Sequence, residues 1–277
     1  MTLRKSQVRD RPDRHGESAL AGVVLAGGNT GLNARGGTVP HFAVHEGYAV
    51  YEGPATDSSF HMHAAFQVAI AVRGEVLMVD ASGTRHQAVA LIVPPMVRHR
   101  MLAVPHLLTF FVEPQCAFAD RLRERCGPGV TADPELRDLR EEDVRSATGR
   151  PAEGLDGRLL AAMNALADQR VPMPVLSAQV GLSPQRLRAL ARQQLGMPLP
   201  RWRIWQRLAR ATEALREGRS LADAATTAGF ADQAHFNRQM REMLGLAPSF
   251  LLPGPRRPAE GPSGAARGMG GDGSADR

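Results

Sequence analysis

Three side chains in the segment 221–249, Gln233, Asn237 and Arg238, carry the donors and acceptors that read base edges or grip phosphates. Gln and Asn each present a paired donor and acceptor, and Arg presents a planar fork of donors, so all three recognise their targets through bidentate bonds. They turn to one side of a predicted helix whose other side carries Phe236, Met240 and Met243 at helical spacing. Asp232 is its expected N-cap. A shorter helix from about Ser220 is predicted to end at Ala228-Gly229-Phe230, where Gly229 supplies the backbone freedom of a tight corner. Two helices joined this way form a helix-turn-helix, with the second helix expected to lie in a DNA major groove.

The unit occurs twice. Gly181-Leu182 aligns with Gly229-Phe230 at an offset of 48 residues, and Gly196 with Gly245 at 49, so the second copy holds one extra residue in its turn. Ser183 and Pro184 are an N-cap and first-turn pair for the upstream reading helix. Its core face is Leu187, Leu190, Ala191 and Leu195; its outer face is Gln185, Arg188 and Arg192. An internal repeat of this kind predicts two similar reading helices, about one turn of DNA apart. Residues 199–216 are the expected linking helix, with Trp202 and Trp205 read as core.

Charge is concentrated in the same stretch. Residues 174–252 hold 11 arginines against 5 acids, whereas residues 1–173 hold 19 basic and 20 acidic groups and residues 253–277 hold 4 and 3. Phosphates neutralised by arginine release counterions, so Arg201, Arg203 and Arg207 are candidate phosphate contacts, with Arg192 and Arg210 beside them. Lys5 is the only lysine.

Taken together, Gly229-Phe230, Asp232-Gln233, His235-Phe236, Arg238, Gly245 and Pro248-Ser249 resemble the C-terminal signature of the AraC family of bacterial transcription regulators. That resemblance implies double-stranded DNA as partner and a DNA-binding set of Gln185, Arg188, Arg192, Gln233, His235, Asn237 and Arg238. Met240 stands where the family usually has Phe and Asn237 where Ser is common, changes expected to alter packing and base choice. In the upstream copy Ala191 replaces a core aromatic and Ala189 an arginine, which shifts that unit toward positioning.

Ahead of the repeat the pattern changes. Residues 66–71, 75–79, 89–93 and 107–112 are short runs of Val, Ile, Leu and Phe, punctuated by Gly74, the 80–83 cluster, Pro94-Pro95 and Pro105. Such spacing predicts an all-β barrel or sandwich. His61, His63, Gln67 and Gly74 keep the spacing of the first cupin motif, with Gln67 in place of its glutamate, and residues 94–99 resemble the second, ending in His99 with Met96 in place of a glycine. The resemblance implies a cupin-like β-barrel and an α+β chain overall. Within such a barrel His61, His63 and His99 converge beside Gln67, either as a pocket for a small-molecule effector or as three imidazoles and an oxygen around a divalent metal. A metal-dependent cupin enzyme is the third reading, and fusion to a paired DNA reader argues against it.

Residues 117–125, 132–143 and 156–169 look helical and would couple barrel to reader. Leu122, Leu136 and Leu139 are free either to pair two subunits in a homodimer or to pack on their own barrel. The expected organisation is a disordered segment 1–20, a cupin-like domain 40–115, a coupling and dimerisation region 116–170, a double helix-turn-helix domain 171–252 and a disordered tail 253–277. Cys116 and Cys126 flank one helix roughly 15 Å apart, too far for a disulfide. Two unpaired thiols fit a cytoplasmic protein. The apolar run 19–28 is short and closely preceded by Asp10, Asp13 and Glu17, unlike an export signal, and no run is long enough for a membrane helix.

Overall fold

A computed structural model describes residues 40–168 and 171–245. The segments 1–20 and 253–277, the run 19–28 and the Pro248-Ser249 end of the signature lie outside the described residues.

Strands β1 (His41–His45), β2 (Tyr48–Ala55), β3 (Phe66–Ala71), β4 (Val76–Asp80), β5 (Arg85–Ala88), β6 (Ala90–Val93), β7 (His99–Met101), β8 (Val104–Val112) and β9 (Thr131–Ala132) build two antiparallel sheets. The larger runs in the order β1-β2-β8-β3-β6-β9 and the smaller in the order β5-β4-β7. Every residue of β3 is buried, because both faces of the large sheet are covered. Phe66, Val68 and Ile70 pack with Phe118 and Leu122 of α1 (Ala117–Arg125) and Val144 of α2 (Glu141–Thr148). Ala69 and Ala71 turn the other way, into a core shared with Met78, Leu91 and Met101. Alternation along the strand therefore sends Gln67 to the inner face of the large sheet, toward the second sheet.

The expected strands are present, with β4 shifted by one residue and β8 extended at its start. Strands β1, β2, β5 and β7 had no clear pattern in the chain: β2 holds Gly53-Pro54, β5 is Arg-His-Gln-Ala, and β7 is three residues long.

The segment 132–143 is not the helix expected of it. Thr131–Ala132 adds β9 to the edge of β6, Pro134–Asp138 is a 3-10 turn, and α2 begins only at Glu141. Arg125 draws the chain into this course: it holds the buried Asp133 with two bonds of 2.5 and 2.8 Å. Pro134 then fixes the first turn. Of the two courses open to the coupling leucines, the chain takes the internal one. Leu122 is buried, and Leu136 and Leu139 are half-buried, against the outer face of their own sheet. Cys116 and Cys126, at the two ends of α1, are free thiols.

The helices that follow are α3 (Gly157–Asp168), α4 (Met173–Gln179), α5 (Pro184–Leu195), α6 (Leu199–Arg216), α7 (Leu221–Thr227) and α8 (Gln233–Leu244). Among the described residues no helix is long and apolar enough to cross a membrane. Helices α4-α5 and α7-α8 are the two helix-turn-helix units, and α6 links them. Trp202 and Trp205 are core residues, as expected.

The helical core continues into the sheets, where it takes in Ala49, Ala64, Ala65 and Phe111. A polar tie reinforces this contact. Glu113, just past β8, accepts from Trp205 Nε1 at 3.2 Å and from Gln206 Nε2 at 2.6 Å through one carboxylate oxygen. Burial pushes the Glu113 carboxyl above its ordinary value, while the bonds from Gln206, Gln115 and Trp205 pull it back in part. An acid whose pKa rises on folding contributes its full stability below its unfolded value, and loses it as pH climbs through the folded value. Glu113→Gln keeps the accepting oxygen and removes the buried charge. It is therefore expected to raise Tm at neutral pH and to leave it unchanged below about pH 4, as thermal melts across pH will show.

Candidate nucleic-acid interface and histidine pocket

Helices α5 and α8 are the same object built twice. Each is 12 residues long. Ser183 Oγ caps the first by accepting from the Arg186 amide at 3.2 Å, and Asp232 Oδ1 caps the second by accepting from the His235 amide at 2.6 Å. Both end on a left-handed glycine, Gly196 at φ 73° and Gly245 at φ 68°, a conformation glycine adopts without cost. Leu187, Leu190, Ala191 and Leu195 face the core from α5, and Phe236, Met240, Met243 and Leu244 from α8.

On the outer faces, Gln185, Arg188, Arg192, Gln233 and Arg238 are exposed. Two members of the expected set differ. His235 is half-buried, its ring edge-on to Phe230 at 5.4 Å between centroids, and it reads as a brace for the turn. Asn237 is half-buried too, and its Oδ1 is enclosed without a hydrogen-bond partner. The expected phosphate contacts are less open than their sequence suggests. Arg201 is ion-paired with Glu242 of α8, Arg203 and Arg207 are half-buried, and Arg210 donates to the Ala167 carbonyl at 3.0 Å. The arginines most open to a duplex are Arg186, Arg188 and Arg192 on α5, with Arg238 and Arg241 on α8. Arg186 and Arg241 were absent from the expected set; their place on the two reading helices was the available signal.

The structure brings together the four residues singled out in the sheet domain. His61 and His99 form an antiparallel bridge, each amide donating to the other's carbonyl at 2.9 and 3.0 Å. Beside them, the Met96 amide donates to the His63 carbonyl at 2.8 Å. Met96 stands at the motif's glycine position and adopts φ 65°, the left-handed region that glycine would have filled without strain. The three imidazoles are buried, as is Gln67, and their ligand atoms lie within 4.8 Å of one another.

Backbone carbonyls fix the protonation of all three rings. Nδ1 of His61 lies 2.7 Å from the Ser59 oxygen, that of His63 2.6 Å from the Met243 oxygen, and that of His99 3.0 Å from the Val97 oxygen. A carbonyl only accepts, so each Nδ1 carries the hydrogen. Burial moves all three below the usual histidine range, His99 to about 3, and at His63 the neighbouring His61 and His99 add to the same direction. The rings are therefore neutral, and each Nε2 is a bare lone pair.

Those lone pairs converge. His61 Nε2 is 3.2 Å from His63 Nε2, and Gln67 Oε1 lies 3.1 Å from His63 Nε2 and 2.9 Å from His99 Nε2. Gln67 is held oxygen-inward because its amide nitrogen donates to Thr109 Oγ1 at 3.4 Å, and that hydroxyl donates to the Val68 carbonyl at 3.0 Å. A pocket opens beside the cluster, lined by Phe42, Tyr51, Met101, Phe111 and Leu244 among others. Free space between its walls amounts to only a few waters.

The histidines also meet the reader. Met243, whose carbonyl accepts from His63, lies in the last turn of α8, and the neighbouring Glu242 carbonyl accepts from the Met62 amide at 3.2 Å. Gly245 packs against the His61 ring so tightly that a Cβ there would lie 2.6 Å from Nδ1. Nothing in the sequence signals these contacts, since the partners are some 180 residues apart.

Residues 176–252 match the family described as a helix-turn-helix domain. Over 90 residues the chain is 38% identical to the arabinose operon regulatory protein of Salmonella typhimurium, which is 32% of this chain and 32% of that protein. The chain thus aligns with about a third of the length of the curated relatives it matches. Apo ToxT of Vibrio cholerae superposes with a TM-score of 0.52 at 10% identity, covering 74% of this chain and 97% of that one. ToxT bound to an unsaturated fatty acid gives 0.50 at 9%, covering 74% and 94%. At such identities the likeness is one of fold.

The division between packing and reading faces is measurable. Phe236→Ala removes a ring with no exposed surface and is expected to cost about 3–5 kcal/mol in urea denaturation. Arg238→Ala, on the open face, is expected to stay within about 0.5 kcal/mol of the parent.

Proposed function

We propose that the chain, whose C-terminal domain is of the kind found in AraC family bacterial transcription regulators, is a sequence-specific DNA-binding transcription regulator that responds to a small molecule taken up on its cupin-like domain. The observation that carries this reading is the duplication itself: two reading helices of equal length, capped alike at both ends, each with polar and cationic residues on its outer face. Successive major grooves on one side of a duplex call for two such helices about one turn apart. Gln185, Arg188, Gln233 and Arg238 are the base-reading candidates, and Asn237 joins them only once its enclosed oxygen is released. Phosphate contacts fall chiefly to Arg186, Arg192 and Arg241, with Arg201, Arg203 and Arg207 on the linking helix behind them.

Effector control is supported by the contact between pocket and reader, because Leu244 is at once a wall of the pocket and the last residue of α8. A ligand that parts those walls favours one placement of the helix over another, and only such a difference in affinity between two states moves an equilibrium. An oxygenase or isomerase needs an open coordination position for its substrate. A pocket does open beside the cluster, but fusion to two helix-turn-helix units favours the regulator over the enzyme.

Fluorescence anisotropy with DNA from upstream of the chain's own gene tests the assignment. Specific binding is expected, with log affinity falling linearly in log salt. Arg238→Ala should weaken that operator by about 1–3 kcal/mol and leave unrelated DNA nearly unchanged. Equal loss on all DNA would make Arg238 a phosphate clamp, and no preference for any genomic sequence would sink the regulator reading.

A further inference from the structure

We infer that the cleft between the sheet domain and α6 binds a small organic ammonium ion, with the Glu113 carboxylate as its counterion and the Trp205 ring beside it. The site goes beyond the regulator reading and stands apart from the histidine cluster. Phe42 and Val44 of β1, Trp205 and Leu208 of α6 and Leu244 of α8 wall the cleft, with Glu113 as the charged residue among them. Phe42 and Leu244 also border the histidine pocket, and the rest of the lining is distinct.

Glu113 is an acid without a counterion. Its Oε1 accepts from Trp205 Nε1 at 3.2 Å and from Gln206 Nε2 at 2.6 Å, and its Oε2 accepts from Gln115 Nε2. All three donors are N–H groups, an arrangement that suits the ionised form, which only accepts. Among the described residues it forms no ion pair, and Glu46 adds a second negative charge to its surroundings. An anion drawn out of water is stable beside a cation, and here three neutral donors stand in that place. A carboxylate offers about four lone-pair sites. Three are taken by these bonds, which leaves a place on Oε2 for one more donor.

The walls define what that donor belongs to. Free space between them is that of about one water, which is the size of a primary ammonium head, and the cleft is partly open to solvent. An indole draws a cation more strongly than the other side-chain rings do, and Trp205 is held at the site by its own bond to Glu113. Val44, Leu208 and Leu244 suit a short hydrocarbon tail. A carboxylate or phosphate ligand would meet repulsion from Glu113 and find no cation in the lining. Both layers hold the ion: Glu113 and Gln115 follow β8, whereas Trp205 and Gln206 belong to α6. A bound ammonium therefore adds its bond at the seam between sheet domain and reader, and strengthens their contact.

Tryptophan emission reads the site directly. Trp202 and Trp205 are the chain's two tryptophans, and Trp202 Nε1 has no hydrogen-bond partner to lose in Trp202→Phe. The full chain with that substitution is titrated with n-butylammonium, 1-butanol and butyrate at constant ionic strength, and thermal melts with the same three compounds use the unaltered chain. A saturable change in Trp205 emission and a rise in Tm are expected with n-butylammonium and with neither of the others. Glu113→Gln keeps an accepting oxygen and is itself expected to melt above the parent at neutral pH, yet it should bind n-butylammonium about 30-fold more weakly or not at all. Ala209→Leu leaves the carboxylate intact and puts a larger side chain into the cleft lining, and should abolish the response. Absence of saturable binding by n-butylammonium, equal binding of 1-butanol or butyrate, or an affinity unmoved by either Glu113→Gln or Ala209→Leu would each overturn the inference. None of these measurements uses DNA. A chain that binds the ammonium ion but ignores every DNA sequence would leave this inference standing and defeat the regulator reading.

Discussion

An α-helix leaves its last carbonyls without partners, and something outside the helix must satisfy them. In this chain the sheet domain does so for both reading helices. Arg123 of α1 donates to the Gln194 carbonyl near the end of α5 at 3.0 Å, while His63 and the Met62 amide serve α8. The C-terminal ends of both readers are thus anchored to the sheet domain, and their capped N-terminal turns carry exposed polar side chains. The spacing of the two helices is set by where those anchors stand.

That constraint explains why the sheet domain is built as it is. Both faces of the large sheet are covered, and strand alternation sends Gln67 and Thr109 inward while Val68 and Phe110 turn to the helices. The bridge between His61 and His99 then brings two motif halves from distant parts of the chain to one point. Histidine is suited to such a junction, because a single ring donates on one side and accepts on the other. His63 uses this to link a buried cluster to a helix of another layer.

The two repeats show what selection of function adds to a common plan. They share length, caps and core face. They differ in what lies at their C-terminal glycines: a proline edge beside Gly196, an imidazole against Gly245. They differ also in openness, since the outer face of α5 is exposed at Gln185, Arg188 and Arg192, while α8 keeps Asn237 half-enclosed and Glu242 tied to Arg201. The two units thus share a plan but differ in how much of the outer face is open and in what their C-terminal ends touch.

The reader was legible in the chain because its determinants are local. A cap, a helical stripe of apolar residues and a left-handed glycine all act within one or two turns, so α5, α6 and α8 fall where periodicity puts them. The β runs of the inner strands were legible for the same reason, and so was the convergence of His61, His63, Gln67 and His99, once the motif spacing pointed to a cupin-like fold. Tertiary structure alone decided the rest. Residues 132–143 carry helical character, yet Arg125 and a free sheet edge draw them into a strand and a 3-10 turn. The exposure of Arg201, Arg203, His235 and Asn237 depended on what packed beside them. The meeting of His63 with Met243, and of Gly245 with His61, joins positions some 180 residues apart. No local preference encodes such a contact; it exists only where two independently patterned layers share a core and a helix end needs a donor.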